Sequence, residues 1–450
     1  MQEKNDNLME KIISLCKRRG FVYPGSEIYG GLAGTYDYGP LGSLLKKNIE
    51  DSWIEYFVKN RENIYLIDTP ILMHPKVWEA SGHVANFVDP VSKCKKCGHS
   101  FRSDQIEDKE VCRDCGGKLS SPNNFNLMLE TKMGASEETA TSTYLRPEEA
   151  QSMFINFKNV LQSLSPKIPF GIAQIGKAFR NEITPRDFIY RLREFEIMEF
   201  EYFVHPNSPW EAYFDNFLLE QKEWLSKIGV DTSKLHHMEH KEADRAHYSK
   251  KTVDLEFEYP FGIKELTGLS HRGDFDLKRH QEFSGESMEV LDEETKEKFI
   301  PHVIEPTVSV DRAILALLCS SYREDPEEKS TSNGASGEGN ATRVYLKFPP
   351  SIAPYKACVS PLLKNKPELI SYAKNVYEQL KKEFGWVVWD DNGNIGKRYR
   401  RQDEIGTPWC IVIDFDTLTD NSVTIRDRDT GLQERIKKED IVKYIKDKMN

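Results

Sequence analysis

GKAFRNEITPRDFIYRLREFEIMEFEYF, residues 176–203, sets four arginines and five glutamates among aromatic side chains. A solvated face has no need of the rings, and a packed strand does not tolerate the charges. The run reads as two antiparallel strands, AQIGKAFRNE (173–182) and EFEIMEFEYFV (194–204), joined by the loop ITPRDFIYRLR (183–193). Side chains alternate faces along a strand, so Arg180 shares a face with Glu182, and Phe195 with Ile197 and Glu199. Such a floor suits a ligand carrying phosphate, a flat ring and an ammonium: arginine forks to phosphate, a ring stacks on a base, carboxylates hold an amine. The competing reading is a strand pair whose charges neutralise one another at a solvated edge.

Working outward, TVDLEFEYPFGIKELTGLSH (252–271) reads as two more adjacent strands, and SVDRAILALLCSSY (309–322) opens a helix with Asp311 in its first turn. Arg312 at the head of that apolar helix is costly to bury unless an anion meets it. Adjacent strands followed by helices predict an α+β domain, an antiparallel sheet with helices on one side. Residues 324–343, rich in Ser, Gly and Glu, read as a flexible linker or exposed loop. Beyond it come the strand VYLKF, a helix with apolar residues at Leu369, Ala373, Val376, Leu380 and Phe384, then GWVVWDD and WCIVIDFDTLTDNSVTIRDRD. That alternation predicts a small α/β domain with a mostly parallel or mixed sheet.

At 450 residues, 38% hydrophobic and 30% charged, the chain has room for two or three domains of ordinary soluble composition. No apolar run approaches the roughly 18 residues that span a bilayer, and MQEKNDNLMEKIISLCKRRG reads as a helix of a cytoplasmic protein rather than a secretory signal. The net charge of −10 argues against indiscriminate nucleic-acid binding. The C-terminal part differs: residues 343–450 hold 20 Lys+Arg against 16 Asp+Glu, a surplus of 4 that leaves −14 for the rest. A mildly basic end can meet a polyanion.

Of eight cysteines, Cys94, Cys97, Cys112 and Cys115 form two CxxC pairs separated by 14 residues, the pattern of a closed structural zinc site. Gly98, Gly116 and Gly117 follow these knuckles, where a tight turn directs N–H groups at thiolate sulfur. Gly171-x4-Gly176-Lys177 nearly spells a phosphate-binding loop, but Ala178 stands where that motif needs a hydroxyl, and the lysine runs into a strand. His236, His237 and His240 have no third ligand at hand and read as an exposed loop or helix.

FVYPGSEIYGGLAGTYDYGPLGSLLKKNIEDSW (21–53), YLRPEEAQ (144–151), the hairpin itself, KELTGL (264–269), EPTVSVDR (305–312), IAPYKACVSPL (352–362) and GKRYRRQDEIGTPWCIVIDFDTL (396–418) together resemble the class II aminoacyl-tRNA synthetases of the glycine-specific, homodimeric type. The resemblance runs nearly the whole length, with Pro40 in the place of the motif 1 proline. It implies a class II catalytic domain at 1–325 with the four-cysteine segment inserted at about 90–120, a linker at 326–342, and an anticodon-binding domain at 343–450. The implied reaction joins glycine to ATP as glycyl-adenylate and passes it to the 3′ end of tRNA. ATP with Mg2+, structural Zn2+, glycine and a tRNA are the implied cofactors and partners, a homodimer the implied assembly. A catalytically inactive accessory subunit on the same scaffold is the alternative, and it should lack Arg180 and Arg312.

The resemblance also implies roles. For ATP these are Arg180, Asn181, Glu182, the loop Tyr190, Arg191, Leu192, Arg193, Glu194 and Phe195, then Glu265, Leu266, Ser309, Val310, Asp311 and Arg312. Arg180 would hold the α-phosphate, Phe195 and Arg312 would sandwich adenine, and both arginines would be catalytic. For glycine they are Arg102, Glu148, Phe195, Glu196, Ile197, Met198, Glu199, Glu305 and Thr307, with Arg272 in the same neighbourhood. The family has Ser where Thr307 stands and Gly where Ser309 stands; the extra methyl would narrow the pocket, and the Ser309 side chain would crowd the nucleotide. Carboxylates crowding the pocket would exclude any amino acid with a Cβ, since overpacking costs roughly 1–3 kcal/mol even for one methyl. Lys397, Arg398, Arg400 and Arg401, beside Tyr399 and Trp409, combine cations with rings for stacking on anticodon bases.

Overall fold

The computed structural model describes residues 2–106, 108–136, 139–246, 248–292, 295–326 and 342–449. Its centre is a seven-stranded sheet. In chain order the strands are β1 (Ile64–Leu66), β2 (Phe170–Phe179), β3 (Glu194–Val204), β4 (Leu235–Glu239), β5 (Lys251–Tyr259), β6 (Gly262–Gly273) and β7 (His302–Ser309). They lie in the order β4-β5-β6-β7-β3-β2-β1, antiparallel except for β1 beside β2. The expected hairpins are both present: β2 pairs β3 with Phe195 opposite Ala178, and β5 pairs β6.

The longer helices are α1 (Gln2–Arg19), α2 (Pro40–Trp53), α3 (Ala150–Leu164), α4 (Trp210–Lys227), α5 (Phe275–Ser284) and α6 (Val310–Ser321). They cover both faces of the sheet, not one as expected. Met198, Phe200, Tyr202 and Val204 of β3 pack with Leu45 and Trp53 of α2, Phe217 and Trp224 of α4, and Leu315 of α6. Phe203, on the opposite face of β3, packs with Phe154 and Phe157 of α3 and Leu277 of α5. Both faces of the central strands carry apolar side chains, so each needs a cover. Pro40 begins α2 where its missing N–H costs nothing.

A second core lies under a five-stranded mixed sheet of β8 (Ala357–Pro361), β9 (Val387–Trp389), β10 (Trp409–Ile413), β11 (Ser422–Asp427) and β12 (Gln433–Lys437), in the order β9-β8-β10-β11-β12. Helices α7 (Pro367–Phe384), α8 (Ile395–Glu404) and α9 (Ile441–Met449) complete it. Of the predicted apolar stripe of α7, Leu369, Ala373, Val376 and Leu380 are fully buried there, and Phe384 at its end is partly buried.

The boundary between the two bodies differs from expectation. Tyr322–Pro326 and Thr342–Leu346 pair as an antiparallel ribbon, so the ends of the low-complexity stretch are strands; residues 327–341 lie outside the described residues. Leu346, Phe348, Ile352, Ala353 and Ile405 belong to the core of the seven-stranded body. Arg18 and Arg19 of α1 both pair with Glu404 at the end of α8. The histidines differ too: His236 and His237 lie on β4, with His236 against Glu258 and His240 against Asp254, both at 2.7 Å.

Candidate active site

One cleft opens over β3, β6 and β7 at the end where β2 turns into its loop. Arg180, Glu182, Tyr190, Arg191, Leu192, Phe195, Ile197, Glu265, Leu266, Thr307, Ser309, Asp311 and Arg312, all proposed from sequence, line it together. Ile189 and Gly268 also line it and were missed. Gly268 had a legible signal: a glycine within a strand often marks a close approach by a ligand, and a Cβ built there meets only Asp254 Oδ1, at 3.7 Å.

β2 ends at Phe179, so Arg180 and Glu182 do not share a strand face as expected. The Arg180 N–H still donates to the Arg193 carbonyl at 2.9 Å, and the chain then turns, Glu182 N–H donating to Arg180 O at 2.7 Å. This turn aims the Arg180 guanidinium between two rings, 5.4 Å from the centroid of Phe87 and 5.2 Å from that of Phe195. Its Nε donates to Pro147 O at 3.2 Å. Among the described residues no carboxylate lies within 4.0 Å of it, and a half-buried arginine without a counter-charge is prepared for an anion.

Arg312 is anchored on the other side. Its Nη1 lies 2.9 Å from Glu265 Oε1, its guanidinium sits 4.5 Å from the Tyr190 ring centroid, and the Tyr190 hydroxyl donates to Glu265 O at 3.1 Å. Arg312 holds Glu265 below the usual carboxylate range. Asp311 is buried, with Oδ1 accepting from the Tyr38 hydroxyl at 2.5 Å and Oδ2 from the Glu196 N–H at 2.9 Å, which fixes the end of β3 to the head of α6. The Ser309 hydroxyl caps α6, accepting from Arg312 N–H at 3.4 Å. It is thereby turned onto the helix end.

Deeper along the same face lie the acids. The Glu199 carboxylate accepts from Glu149 N–H at 3.1 Å and from the Thr307 hydroxyl at 3.2 Å. Thr307 thus keeps the hydrogen bond a serine would make. Glu305 accepts from Arg272 Nη1 at 2.7 Å, and Arg272 forks to Asp276 at 2.8 and 2.9 Å. Glu148 lies 3.3 Å from His83 and 3.8 Å from Arg272; burial opposes its charge, but His83 and Arg272 outweigh it and hold its carboxyl well below the usual range. Burial pushes Glu199 up to about 8, with the like charges of Glu149 and Glu148 adding to it, and burial pushes Glu305 to about 8 against the pull of Arg272. Because both are raised, these two carboxyls hold more protons in the folded than in the unfolded chain between about pH 4.5 and about 8, so the stability they contribute falls as pH rises through that window. Calorimetric melting of ligand-free protein at about pH 6 and about pH 8.5 should give the lower midpoint at the higher pH, and a smaller difference in Glu199→Gln. An equal or higher midpoint at the alkaline end contradicts this.

Several proposed residues lie elsewhere. Glu196 and Met198 point to the opposite face of β3, where Glu196 pairs with Lys46 of α2 and Met198 is core. Alternation along the strand already required this, given Glu199 on the cleft face. Arg193 is tied to the carbonyls of Glu182 and Ala33, Glu194 pairs with Lys177, Val310 is core, and Asn181 does not line the cleft. Arg102 forks to Asp104 and pairs with Asp89 at 2.8 Å, beside a second cleft with Arg113, Arg186 and Arg191. Gly176 is a strand residue whose absent Cβ makes room for the Arg146–Glu149 ion pair, not a phosphate loop.

The four cysteine sulfurs lie within 4.8 Å of one another. N–H groups of Lys96 and Cys97 donate to Cys94 Sγ, and Gly98 and Gly116, both at positive φ, close matching turns onto the carbonyls of Cys94 and Cys112. The glycines therefore make the turns, while the residues before them supply the N–H groups. Four converging sulfurs with backbone donors fit a tetrahedral zinc. In the C-terminal body, Trp409 is buried on β10 and Arg398 is buried with its guanidinium on the carbonyls of Pro361, Asp391 and Gly393. Neither is available to stack on bases, which corrects the sequence reading. Lys397 and Arg400 on α8 are exposed.

Comparison with known proteins agrees with this geometry. Residues 131–321 match the tRNA synthetase class II core domain (G, H, P, S and T), and residues 356–448 match an anticodon binding domain. The chain is similar to the glycine–tRNA ligase of Treponema denticola, 46% identical over 97% of this chain and 96% of the relative. It is also similar to those of Alkaliphilus oremlandii, 45% identical over 99% of each, and Geobacillus thermodenitrificans, 45% identical over 97% of each. A class II core, an anticodon-binding module and identity of this extent over both leave one conclusion: the chain belongs to the glycine–tRNA ligase family.

Proposed function

We infer that this chain catalyses glycine–tRNA ligation, and the observation that carries its chemistry is Arg180, a cleft arginine with no carboxylate within 4.0 Å among the described residues, beside a nest of buried carboxylates. In this reading ATP lies along the cleft. Arg180 meets the α-phosphate, Phe195 and Arg312 flank adenine, and the glycine ammonium enters among Glu148, Glu199 and Glu305. The glycine carboxylate attacks the α-phosphorus, pyrophosphate leaves, and a terminal ribose hydroxyl of tRNA then attacks the activated carbonyl. No protein nucleophile is needed; positioning and charge neutralisation suffice. Glu265, exposed at the cleft wall and held below the usual carboxylate range by Arg312, would hold the magnesium that class II synthetases use with ATP, which would supply neutralisation of phosphate charge. Arg180 and Arg312 are both present, so nothing favours the inactive accessory subunit.

ATP–pyrophosphate exchange measured with each amino acid separately tests this. Exchange with glycine alone is expected; none with any amino acid would sink the assignment.

We also propose residues 1–325 as the catalytic domain and 343–450 as the anticodon-binding part, whose first residues, Leu346 to Ala353, pack into the catalytic core, with Lys397 and Arg400 facing tRNA. The four cysteines are proposed to hold one zinc. The protein should contain about one zinc per chain by elemental analysis, and Cys94→Ser should lose it; zinc content unchanged in that variant rules the site out. No helix of the described residues is long and apolar enough to cross a membrane, and a cytoplasmic setting suits eight unpaired cysteines. A homodimer is proposed on the exposed apolar trio Ile28, Tyr29 and Leu32 ahead of α2, 89%, 86% and 58% exposed.

A further inference from the structure

Beneath the carboxylates assigned to the glycine ammonium lies another acid with no part in that reading. Glu201 projects from β3 on the face of Glu199, is fully buried, and neither of its carboxyl oxygens has a hydrogen-bond partner. Glu199 opposes Thr307 and Tyr202 opposes Ile304, which sets Glu201 across from Glu305. Carboxyl oxygens of Glu199, Glu201 and Glu305 lie within 4.8 Å of one another. The charged groups facing Glu201 are Glu199 on β3, Glu305 on β7, Arg272 on β6 and Asp276 on α5, with Glu148 and Glu149 at the head of α3 beyond Glu199. Arg272 directs Nε and Nη2 to Asp276 and Nη1 to Glu305, leaving no donor bonded to Glu201.

Three carboxylates this close, sharing one arginine that already serves another acid, do not all ionise together. Burial and the neighbouring Glu305 act in the same direction. We propose that Glu201 is a specificity-determining residue: it keeps a proton in the free pocket, and arrival of the glycine ammonium expels that proton. This rests on the ligase reading above. One O–H bond of the Glu201 cluster breaks and its proton passes to solvent. The ammonium keeps its three protons and takes over the neutralisation, and no bond within the substrate changes. A molecule of glycine's size without the positive charge cannot displace the proton, so the cluster selects for charge where a hydrogen only a little larger than nothing stands in for a side chain.

The test is calorimetric titration of wild-type protein with glycylsulfamoyl-adenosine in phosphate and in Tris at about pH 7, which counts protons released. Release of at least about half a proton is expected for this compound, none for its glycolyl counterpart, and less from Glu201→Gln than from wild type. Glycine KM in the exchange assay should fall about tenfold from about pH 6.5 to about pH 8.5, and less in Glu201→Gln. Equal release with both compounds, or equal release by the variant, overturns the proposal. So does a stoichiometric divalent cation, additional to zinc, that is lost in Glu201→Gln. The glycyl and glycolyl comparison needs no variant, so misfolding of Glu201→Gln leaves the test intact. Failure of the ligase reading looks different: neither compound binds, glycine supports no exchange, and this proposal falls with it.

Discussion

Arg180→Ala keeps its fold and lowers glycine-dependent ATP–pyrophosphate exchange by at least about a hundredfold, the scale of a lost charge contact to a transition state. The fold survives because the residue bonds little: one carbonyl and two aromatic faces, with the hairpin held by backbone pairing on either side. Those rings hold the guanidinium in place without neutralising it. Removing it therefore leaves no orphaned carboxylate, and the loss falls on the reaction. Circular dichroism and the melting midpoint check the fold, initial exchange rates the chemistry. Near-normal exchange with an intact fold would remove Arg180 from the mechanism.

Arg272→Met behaves in the opposite way. Arg272 is 1% exposed and stands among Asp276, Glu305 and Glu148, with its guanidinium 3.9 Å from the Tyr248 ring centroid. Breaking a buried ion pair by removing one partner costs about 3–5 kcal/mol, because the other charge is left in place. Here more than one acid loses its cation, so urea denaturation should show a loss of at least about 3 kcal/mol, with protonation of the stranded acids as the only relief. A loss below about 1 kcal/mol would mean the cluster is already neutral without Arg272. Sequence reading set Arg272 near the glycine pocket; the structure gives its bonds to other protein groups.

The two arginines show where sequence was legible. Hairpins, the helix opening at Asp311 and the stripe of α7 all follow from periodicity, because period and burial are local properties. Glu196 and Met198, which the resemblance sets in the pocket, belong to the opposite face of β3 by the same alternation that puts Glu199 on the cleft face. Arg398 and Trp409 are a different case. The 391–393 turn just ahead of α8 supplies two of the carbonyls that cap Arg398, but only the arrival of β8 with Pro361 O completes the set and turns the arginine inward rather than toward RNA. Arg102 is similar: Asp104 is near in sequence, but Asp89 reaches it through the pairing of Val91 with Arg102.

Ile405, at the end of α8, is packed into the same core as Leu346, Phe348 and the first helix, and Glu404 beside it is clamped by Arg18 and Arg19. The span from the basic face of α8 to the cleft is therefore fixed by side-chain packing, whatever the length of the segment that joins the two bodies in sequence. If tRNA docks at Lys397 and Arg400 as proposed, the molecule acts as a caliper with welded jaws, and a nucleic acid that does not match the span cannot present both ends at once.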